Sequence, residues 1–534
     1  MGQRRALLFT LLFLAACSSL FAQSNQQQPA PAPTLRVTSS LVFLDVTVLD
    51  KKGHPVVTGL TKDDFTITED KKPERIFSFE APDVHALAPG SSDEDSNGKA
   101  PVSVLVLDLL NSRWEDFAYI RYSVRKYLMA QPEPLTTPAE MLVIGNQSLD
   151  MLQGYTRSRA DLLYALDHLP PVLPMKRNQA FFWERFSQSI DALQQIALQN
   201  KGVPGRKNII WVGHGGPNLE LAMNIAIAPK MAEEIREDVH MTTNMLVDAR
   251  ISLFVIYPGL PITEPALSVS AQQSNLVIGD DDPFIGDINF GLFANETGGK
   301  LYYNRNDVDK EIARSAQIGS NYYTLTYQPE NIDPDGKFRH VRVTLRDPSL
   351  RVVTKAGYYA PDDKAIIKPD QQHMIRLAEA LQAAIPIDSL QVTFGDFLRH
   401  PDSRSVQLTA IIHSKNLNFL PDDSGKDSVH LLIAVASLDA SRRLLSWRVK
   451  KDTLETTTTD SSLLPAVVSR LSITLPLPRK ARTVRLVVED QDSGRIGAAE
   501  IDRAFVNNAP EAPTPDPQLH PVAVESQTAD SPHQ

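Results

Sequence analysis

The chain has 534 residues, a formal net charge of −10 and a sequence pI near 5.7. That length exceeds one ordinary hydrophobic core and predicts about two to four domains. The acidic balance argues against a nucleic-acid partner, which favours basic patches, and against simple electrostatic attraction to an anionic membrane surface. We therefore expect a multidomain protein that does not bind nucleic acid.

The first 22 residues are predicted to be an export signal. An arginine pair precedes an apolar run over residues 6–16, which is too short to span a bilayer. The string LAAC ends at Cys17, the single cysteine, and resembles a bacterial lipobox, in which that cysteine is lipidated. Cleavage after Ala22, with loss of Cys17, is the other interpretation. Either way we expect export, to the periplasm, the outer membrane as a lipoprotein, or the medium, with membrane contact only through a lipid anchor.

Shifts in composition and periodicity divide the rest of the chain. A Gln/Pro spacer precedes alternating apolar residues, which are typical of strands, and a Pro-rich tail with few apolar residues is predicted to be disordered. The predicted segments are a signal peptide (1–22), the spacer (23–34), a small N-terminal β unit (35–82), a linker (83–100), an α/β domain (101–318), a β extension (319–362), a C-terminal β-sandwich-like domain (363–505) and the tail (506–534).

The segment 101–318 carries the pattern of a doubly wound α/β domain. Continuous apolar runs at 102–109, 141–145, 208–212 and 251–257 are typical of parallel strands that are covered on both faces. Residues between them repeat with the helical period of 3.6, and Ser158 with Asp161 predicts a helix N-cap. The expected fold class is therefore α/β, with a Rossmann-like domain flanked by β-sandwich-like domains.

A series of strings in fixed order resembles the von Willebrand factor A-related proteins abundant in Acidobacteria. The resemblance covers most of residues 35–362 and extends more weakly into VVEDQDSGRIGA. It implies export and a von Willebrand A-type fold, but no particular reaction. The strings are DVTVLDKKGHPVVTGLTKDDFTITED, LDLLNS, GRKNIIWVGHGGPN, ARISLFVIYPGL, FANETGGKLYYNRNDVDKEI, NYYTLTYQPENIDPDGKFRHVRVTL and LRVVTKAGYYAP.

This resemblance places a candidate metal site after the first strand of the α/β domain. A working site of the family uses Asp-x-Ser-x-Ser, a later threonine and a later aspartate, so that hard oxygens bind Mg²⁺ and leave one position open. Asp108 and Ser112 match that motif, but Leu110 replaces the middle serine, and His214 stands where the later aspartate would be. Imidazole suits softer metals than Mg²⁺, and LPMKRNQAFFWERF offers no threonine.

Two interpretations of this turn follow. In the first, Asp108 caps the turn, Asn111 hydrogen-bonds the loop backbone, and no cofactor is expected. In the second, Asp108, Asn111 and Ser112 form a weakened, vestigial site that takes Mg²⁺ or Mn²⁺. We favour the first.

Motifs for catalysis are missing from the sequence. His214-Gly215-Gly216 resembles the oxyanion loop of lipases, but no Gly-x-Ser-x-Gly elbow, His-Glu-x-x-His pair or phosphate-binding Gly-x-x-x-x-Gly-Lys loop accompanies it. The leading hypothesis is a non-enzymatic protein that binds an unidentified protein partner in the cell envelope or outside the cell. The alternatives are metal-dependent adhesion through Asp108 and Ser112, and an envelope hydrolase with an unrecognised site.

One loop has a local cluster of acids. Residues 262–291 contain three consecutive aspartates, Asp280 to Asp282, and then Asp287. The Asp-x-Asp-x-Asp-Gly spacing of calcium-binding loops is absent, so we expect these aspartates to form a run of charges exposed to solvent and not a calcium site.

Overall fold

The computed structural model describes residues 41–87, 100–146, 148–169, 182–220, 229–258, 282–284, 287–362, 369–400, 402–421, 426–456 and 464–512. The predicted signal peptide with Cys17, the spacer and residues 513–534 of the predicted tail lie outside these ranges. Every element below belongs to one compact unit, Val42–Gln534.

The strands are β1 (Val42–Leu49), β2 (Phe65–Glu69), β3 (Lys72–Glu74), β4 (Ile76–Glu80), β5 (Val102–Asp108), β6 (Ala139–Ile144), β7 (Leu149–Thr156), β8 (Lys207–Val212), β9 (Leu219–Glu220), β10 (Ile251–Pro258), β11 (Asp287–Ile288), β12 (Lys300–Arg305), β13 (Tyr323–Tyr327), β14 (Phe338–Leu345), β15 (Arg351–Val353), β16 (Gly357–Tyr359), β17 (Val392–His400), β18 (Ser405–His413), β19 (Leu420–Pro421), β20 (Asp427–Leu438), β21 (Leu444–Thr456), β22 (Val467–Pro476), β23 (Thr483–Asp490) and β24 (Ile496–Asp502).

The α-helices are α1 (Trp114–Met129), α2 (Arg159–Asp167), α3 (Phe182–Asn200), α4 (Pro229–Asp248), α5 (Phe290–Glu296), α6 (Val308–Ser320), α7 (Pro369–Gln382) and α8 (Arg503–Asn507). Short 3-10 helices span Lys62–Asp64 and Pro82–His85. Within the described ranges, no helix combines the length and the apolarity that crossing a bilayer requires.

A six-stranded sheet forms the centre of the α/β domain, in the order β12-β10-β8-β5-β6-β7. All neighbouring strands are parallel except the edge pair β6 and β7. Helices α3, α4 and α5 pack on one face, and α1, α2 and α6 pack on the other. Because both faces are covered, every residue of β8 is buried. The expected mixed α/β architecture with a parallel sheet is confirmed.

Two distant segments of sequence form one β module. Strand β1 pairs with β13 and β15, and β2 pairs with β14, so the region predicted as a small N-terminal unit completes the β extension. The resulting sheets, β15-β1-β13-β4 and β16-β14-β2-β3, share a core that includes Leu44, Ile67, Leu325 and Val343. The α/β domain is therefore inserted between the two halves of this module.

The C-terminal region contains two sheets around a shared core. One has the order β17-β18-β22, and the other has the order β19-β20-β23-β24 with β21 paired to β20. Helix α7 lies against the second sheet, and its residues Leu377 and Leu381 join the same apolar cluster as Ile190 and Leu193 of α3. This apolar cluster continues from the α/β domain into the C-terminal region.

Buried polar groups join the β module to the α/β domain. Arg206, which is fully buried, donates from Nη1 to Thr47 Oγ1 at 2.9 Å and from Nε to Ser252 Oγ at 3.0 Å. Beside it, Asp45 of β1 accepts hydrogen bonds from the Arg250 guanidinium and from the Thr324 hydroxyl, the latter at 3.1 Å. Burial alone would raise the pKa of Asp45, but the positive charge and hydrogen bonds of Arg250 outweigh it and lower this pKa.

We predict that Asp45→Ala lowers the free energy of unfolding by about 3 kcal/mol, because it leaves the largely buried Arg250 guanidinium without its acid. The lowered pKa makes the Asp45 contribution present at neutral pH and lost as the pH falls below about 4, so the difference between wild type and variant should shrink there. Urea denaturation at several pH values measures both effects.

Asp396→Ala, which removes an exposed carboxylate from β17, is the control and should change stability by less than about 0.5 kcal/mol. Equal losses in the two variants would contradict the importance of the Asp45–Arg250 pair.

Candidate functional site

The candidate site lies where β5 and β8 end, at the carboxyl edge of the central sheet. Asp108 is the last residue of β5, and the loop 213–216 follows β8 directly. The two strands are parallel neighbours, so their ends meet at this edge. Ligands of open α/β sheets bind in this position.

Three N–H groups of the protein donate hydrogen bonds of 3.0 Å or less to the fully buried Asp108 carboxylate. Its Oδ1 accepts from the Asn111 backbone at 2.8 Å. Its Oδ2 accepts from the indole nitrogen of Trp211 at 3.0 Å and from the Gly215 backbone at 2.8 Å. Burial raises the pKa of Asp108, and these donors oppose that rise. Both oxygens of the carboxylate are therefore engaged within the protein.

Asn111 and Ser112 lie beside this carboxylate with one unpaired oxygen each. The Asn111 amide nitrogen donates to Ser189 Oγ of α3 at 3.0 Å and lies 3.3 Å from Asp108 Oδ1. Asn111 Oδ1 and Ser112 Oγ are buried and have no hydrogen-bond partner among the residues that the structure describes. These two oxygens are the donor atoms that a cation could still use.

Leu110, the residue in place of the middle serine, points into the apolar core. Its side chain is 1% exposed and belongs to the cluster that contains Leu142, Ile144 and Leu149 of the neighbouring strands. This position therefore contributes packing and no ligand atom.

His214 faces a second acid and not Asp108. Its Nε2 lies 3.3 Å from Oδ2 of Asp116 on α1, and its ring packs on Tyr257 with centroids 3.9 Å apart. Arg113 donates from Nε to the same Asp116 oxygen at 2.9 Å. Burial alone would raise the pKa of Asp116, but the contacts with His214 and Arg113 hold it well below its usual range. The arginine thus compensates the charge of Asp116, and the imidazole of His214 contacts the same carboxylate.

The donor set fits Mg²⁺ poorly. That ion requires near-octahedral oxygen ligands. Both Asp108 oxygens already accept N–H bonds, and the Leu110 side chain has no oxygen to contribute. Across the described part of the chain, no three His, Cys, Asp or Glu side chains are arranged to hold a metal ion. The first part of LPMKRNQAFFWERF, where a threonine ligand would be sought, lies outside the described residues.

The sequence did not reveal the groups that complete this site. Trp211 lies inside an apolar run and was expected only as core, yet its N–H binds Asp108. Gly213 has φ of +147°, and a Cβ there would lie 2.3 Å from the Asp108 Cβ and 2.9 Å from Ser112 Oγ. A glycine directly after the last residue of an apolar strand was the only local signal for such a close approach.

In the acidic loop of residues 262–291, the structure describes Asp282 of the aspartate triplet. Its carboxylate is bonded within the protein and is not solvated as expected. Asp282 Oδ1 accepts from the Tyr359 hydroxyl at 2.8 Å, and its Oδ2 lies 3.1 Å from His240 Nε2. The prediction of a solvated carboxylate is therefore wrong for Asp282, because the β module supplies the tyrosine. Asp280 and Asp281 lie outside the described ranges.

Comparison with known proteins gives neighbours of low similarity. The chain matches no protein-family model and no curated protein. The PilB minor pilin from Streptococcus sanguinis shares 12% identity at a TM-score of 0.27, over 41% of this chain and 62% of the pilin. The SpRpn10 VWA domain shares 15% at a TM-score of 0.23, over 41% and 97%. The human COPII-coat protein Sec24c shares 9% at a TM-score of 0.24, over 56% and 47%.

This chain therefore spans about three fifths of the pilin's length. TM-scores of this size do not define a common function, and the architecture given above follows from the strand pairing of this chain itself.

We predict that Gly213→Ala destabilises the protein by about 3 kcal/mol, because the new Cβ overlaps Asp108 and the backbone conformation disfavours a side chain. Thermal and urea unfolding measure the loss. Gly59→Ala is the matched control, since Gly59 also has positive φ (+85°) but has nothing within 4 Å of the added Cβ. It should cost only about 1 kcal/mol. Equal costs would show that Asp108 does not require the close approach of Gly213.

Proposed function

We propose that this chain is an exported, non-enzymatic binding protein whose von Willebrand A-type domain contacts a protein partner without a metal ion. The observation that carries this proposal is the Asp108 carboxylate, which accepts hydrogen bonds from Asn111, Trp211 and Gly215. These hydrogen bonds occupy oxygen lone pairs that a metal ligand would direct at the ion. The order β12-β10-β8-β5-β6-β7 with one antiparallel edge supports the domain type.

The arrangement of the site also supports a role without catalysis. Nucleophilic catalysis needs a hydroxyl or thiol hydrogen-bonded to a base. Ser112 Oγ has no hydrogen-bond partner in the described ranges, and His214 is directed at Asp116. The acid and the imidazole at this edge therefore stabilise each other, and no described hydroxyl is activated by them.

An exposed tryptophan offers a contact surface near the same edge. Trp183 in the first turn of α3 is 43% exposed and packs edge-on against Phe182, with centroids 5.5 Å apart. The same end of α3 reaches the site, because Ser189 bonds Asn111 and Gln188 bonds the Asn146 carbonyl oxygen after β6. Exposed tryptophans on a rigid element are frequent anchors of protein interfaces. We place the partner contact at this surface.

A metal-dependent contact is the second candidate, and the unpaired oxygens of Asn111 and Ser112 favour it. Mg²⁺ or Mn²⁺ there would leave an open position for an acidic residue of the partner. Asp108 could join as a ligand through Oδ2 only by releasing Trp211 or Gly215, which would leave a buried N–H unpaired at a cost of about 1–3 kcal/mol, and through Oδ1 only beside the Asn111 backbone N–H. That cost places this candidate second.

We predict that the full mature chain, crosslinked and captured from an envelope fraction, retains its partner equally well in EDTA and in Mg²⁺. Trp183→Ala should weaken recovery of the partner by at least about tenfold, because it removes the exposed aromatic anchor. Trp447→Ala on β21 is the matched control, since it removes a tryptophan of similar exposure (48%) from the C-terminal region.

Loss of the partner in EDTA, with recovery on addition of Mg²⁺, would favour the metal-dependent candidate. Equal recovery with Trp183→Ala and wild type would place the contact elsewhere on the molecule.

A further inference from the structure

A cavity of about 230 Å³ lies at the β12 edge of the central sheet, whereas Asp108 belongs to the interior strand β5. It is bounded by the start of β12, by β1 and β15 of the β module, and by α6. None of its lining residues belongs to the candidate site above. This cavity is therefore a separate feature of the fold.

The inner wall of the cavity is apolar. Leu49, Phe254 and Ile318 line it and are themselves almost completely buried, and Val353 adds a half-buried side chain at the edge. These side chains come from a strand of the β module, a central strand and a helix, so the wall is fixed by three packed elements. Such a wall favours an apolar group of a ligand.

Three cations also line the cavity: Lys300, Arg314 and Arg351. None of them forms an ion pair with a carboxylate of the described residues. Glu311 is the acid that acts on Lys300, but its carboxylate contacts Arg305 at 2.6 Å. Arg305 also pairs with Asp307 at 3.0 Å, so four cations and two carboxylates share this region, which leaves an excess of two positive charges beside the apolar wall.

The packing of these cations costs free energy in the absence of an anion. Burial and the positive charges of Arg314 and Arg351 lower the pKa of Lys300. The Arg314 guanidinium lies against the backbone of the β module, where a Cβ on Gly53 would be only 2.7 Å from its Nη2. Like charges held together in this way attract an anion from solution.

Tyr302 adds a polar group with spare hydrogen-bonding capacity. It is 5% exposed, and the Lys300 ammonium lies 4.9 Å from the centroid of its ring. Its hydroxyl is buried without a hydrogen-bond partner among the described residues, and the hydroxyl of nearby Ser315 donates to the Glu311 carbonyl oxygen at 2.8 Å. A buried, unpaired hydroxyl on the cavity wall is a group that a ligand oxygen would satisfy.

We propose that this cavity binds a small organic anion, a carboxylate that carries a short apolar chain. The cations and the Tyr302 hydroxyl bind the carboxylate, and the wall of Leu49, Phe254 and Ile318 holds the chain. The volume is below that of ordinary drug-sized pockets, which are about 300–1,000 Å³, so a ligand of the size of hexanoate fits better than a long fatty acid.

Calorimetric titration of the full mature chain with hexanoate, hexanamide and inorganic phosphate tests the proposal. Hexanoate should bind at least about tenfold more tightly than hexanamide, which lacks the charge, and than phosphate, which lacks the chain. Arg314→Gln and Arg351→Gln should each weaken hexanoate binding by about tenfold. Lys310→Gln, an exposed cation on α6 that does not line the cavity, should leave it unchanged.

Arg351 is exposed, so its variant remains informative if Arg314→Gln does not fold. Val353→Phe, which fills the mouth of the cavity, should abolish binding without removing any charge. Absence of hexanoate binding overturns the proposal, as does affinity that is equal for phosphate or hexanamide. Binding unchanged in Arg351→Gln and in Val353→Phe also overturns it, because it would place hexanoate elsewhere.

Discussion

A carboxylate that is fully buried must find hydrogen-bond donors, and Asp108 finds three of them within the protein. One comes from its own turn at Asn111, and two come from the end of β8, through Trp211 and Gly215. These bonds hold the turn after β5 against the loop after β8, and Gly213 permits the close approach because it has no Cβ. The position of the whole carboxyl edge depends on this arrangement.

The two edges of the sheet consequently differ in their electrostatics. At the carboxyl edge both acids have partners within the protein, since Asp108 accepts N–H bonds and Asp116 contacts His214 and Arg113. At the β12 edge, Lys300 and its neighbouring arginines outnumber the acids. We accordingly infer contact with a protein surface at the first edge and binding of an organic anion at the second, in a chain whose overall charge is −10.

Local sequence patterns predicted much of this architecture. Continuous apolar runs gave the parallel strands, and the N-cap at Ser158 is confirmed by its 3.1 Å bond from the Asp161 backbone. Pairings across long sequence separations could not be predicted in this way. The joining of residues 35–82 to 319–362, the bond from Trp211 to Asp108 and the contact of Asp282 with Tyr359 all depend on the assembled fold. An apolar run does not show which of its members also donates a hydrogen bond.

Calorimetric titration of Mg²⁺ and Mn²⁺ into the wild-type protein and into Asp108→Ala tests the central claim most directly. Because the Asp108 oxygens are engaged with N–H groups, the expected result is no saturable heat from either protein. Saturable heat from the wild type that is absent from Asp108→Ala would contradict the account, since it would show that a cation takes Asp108 as a ligand despite the N–H bonds to its carboxylate.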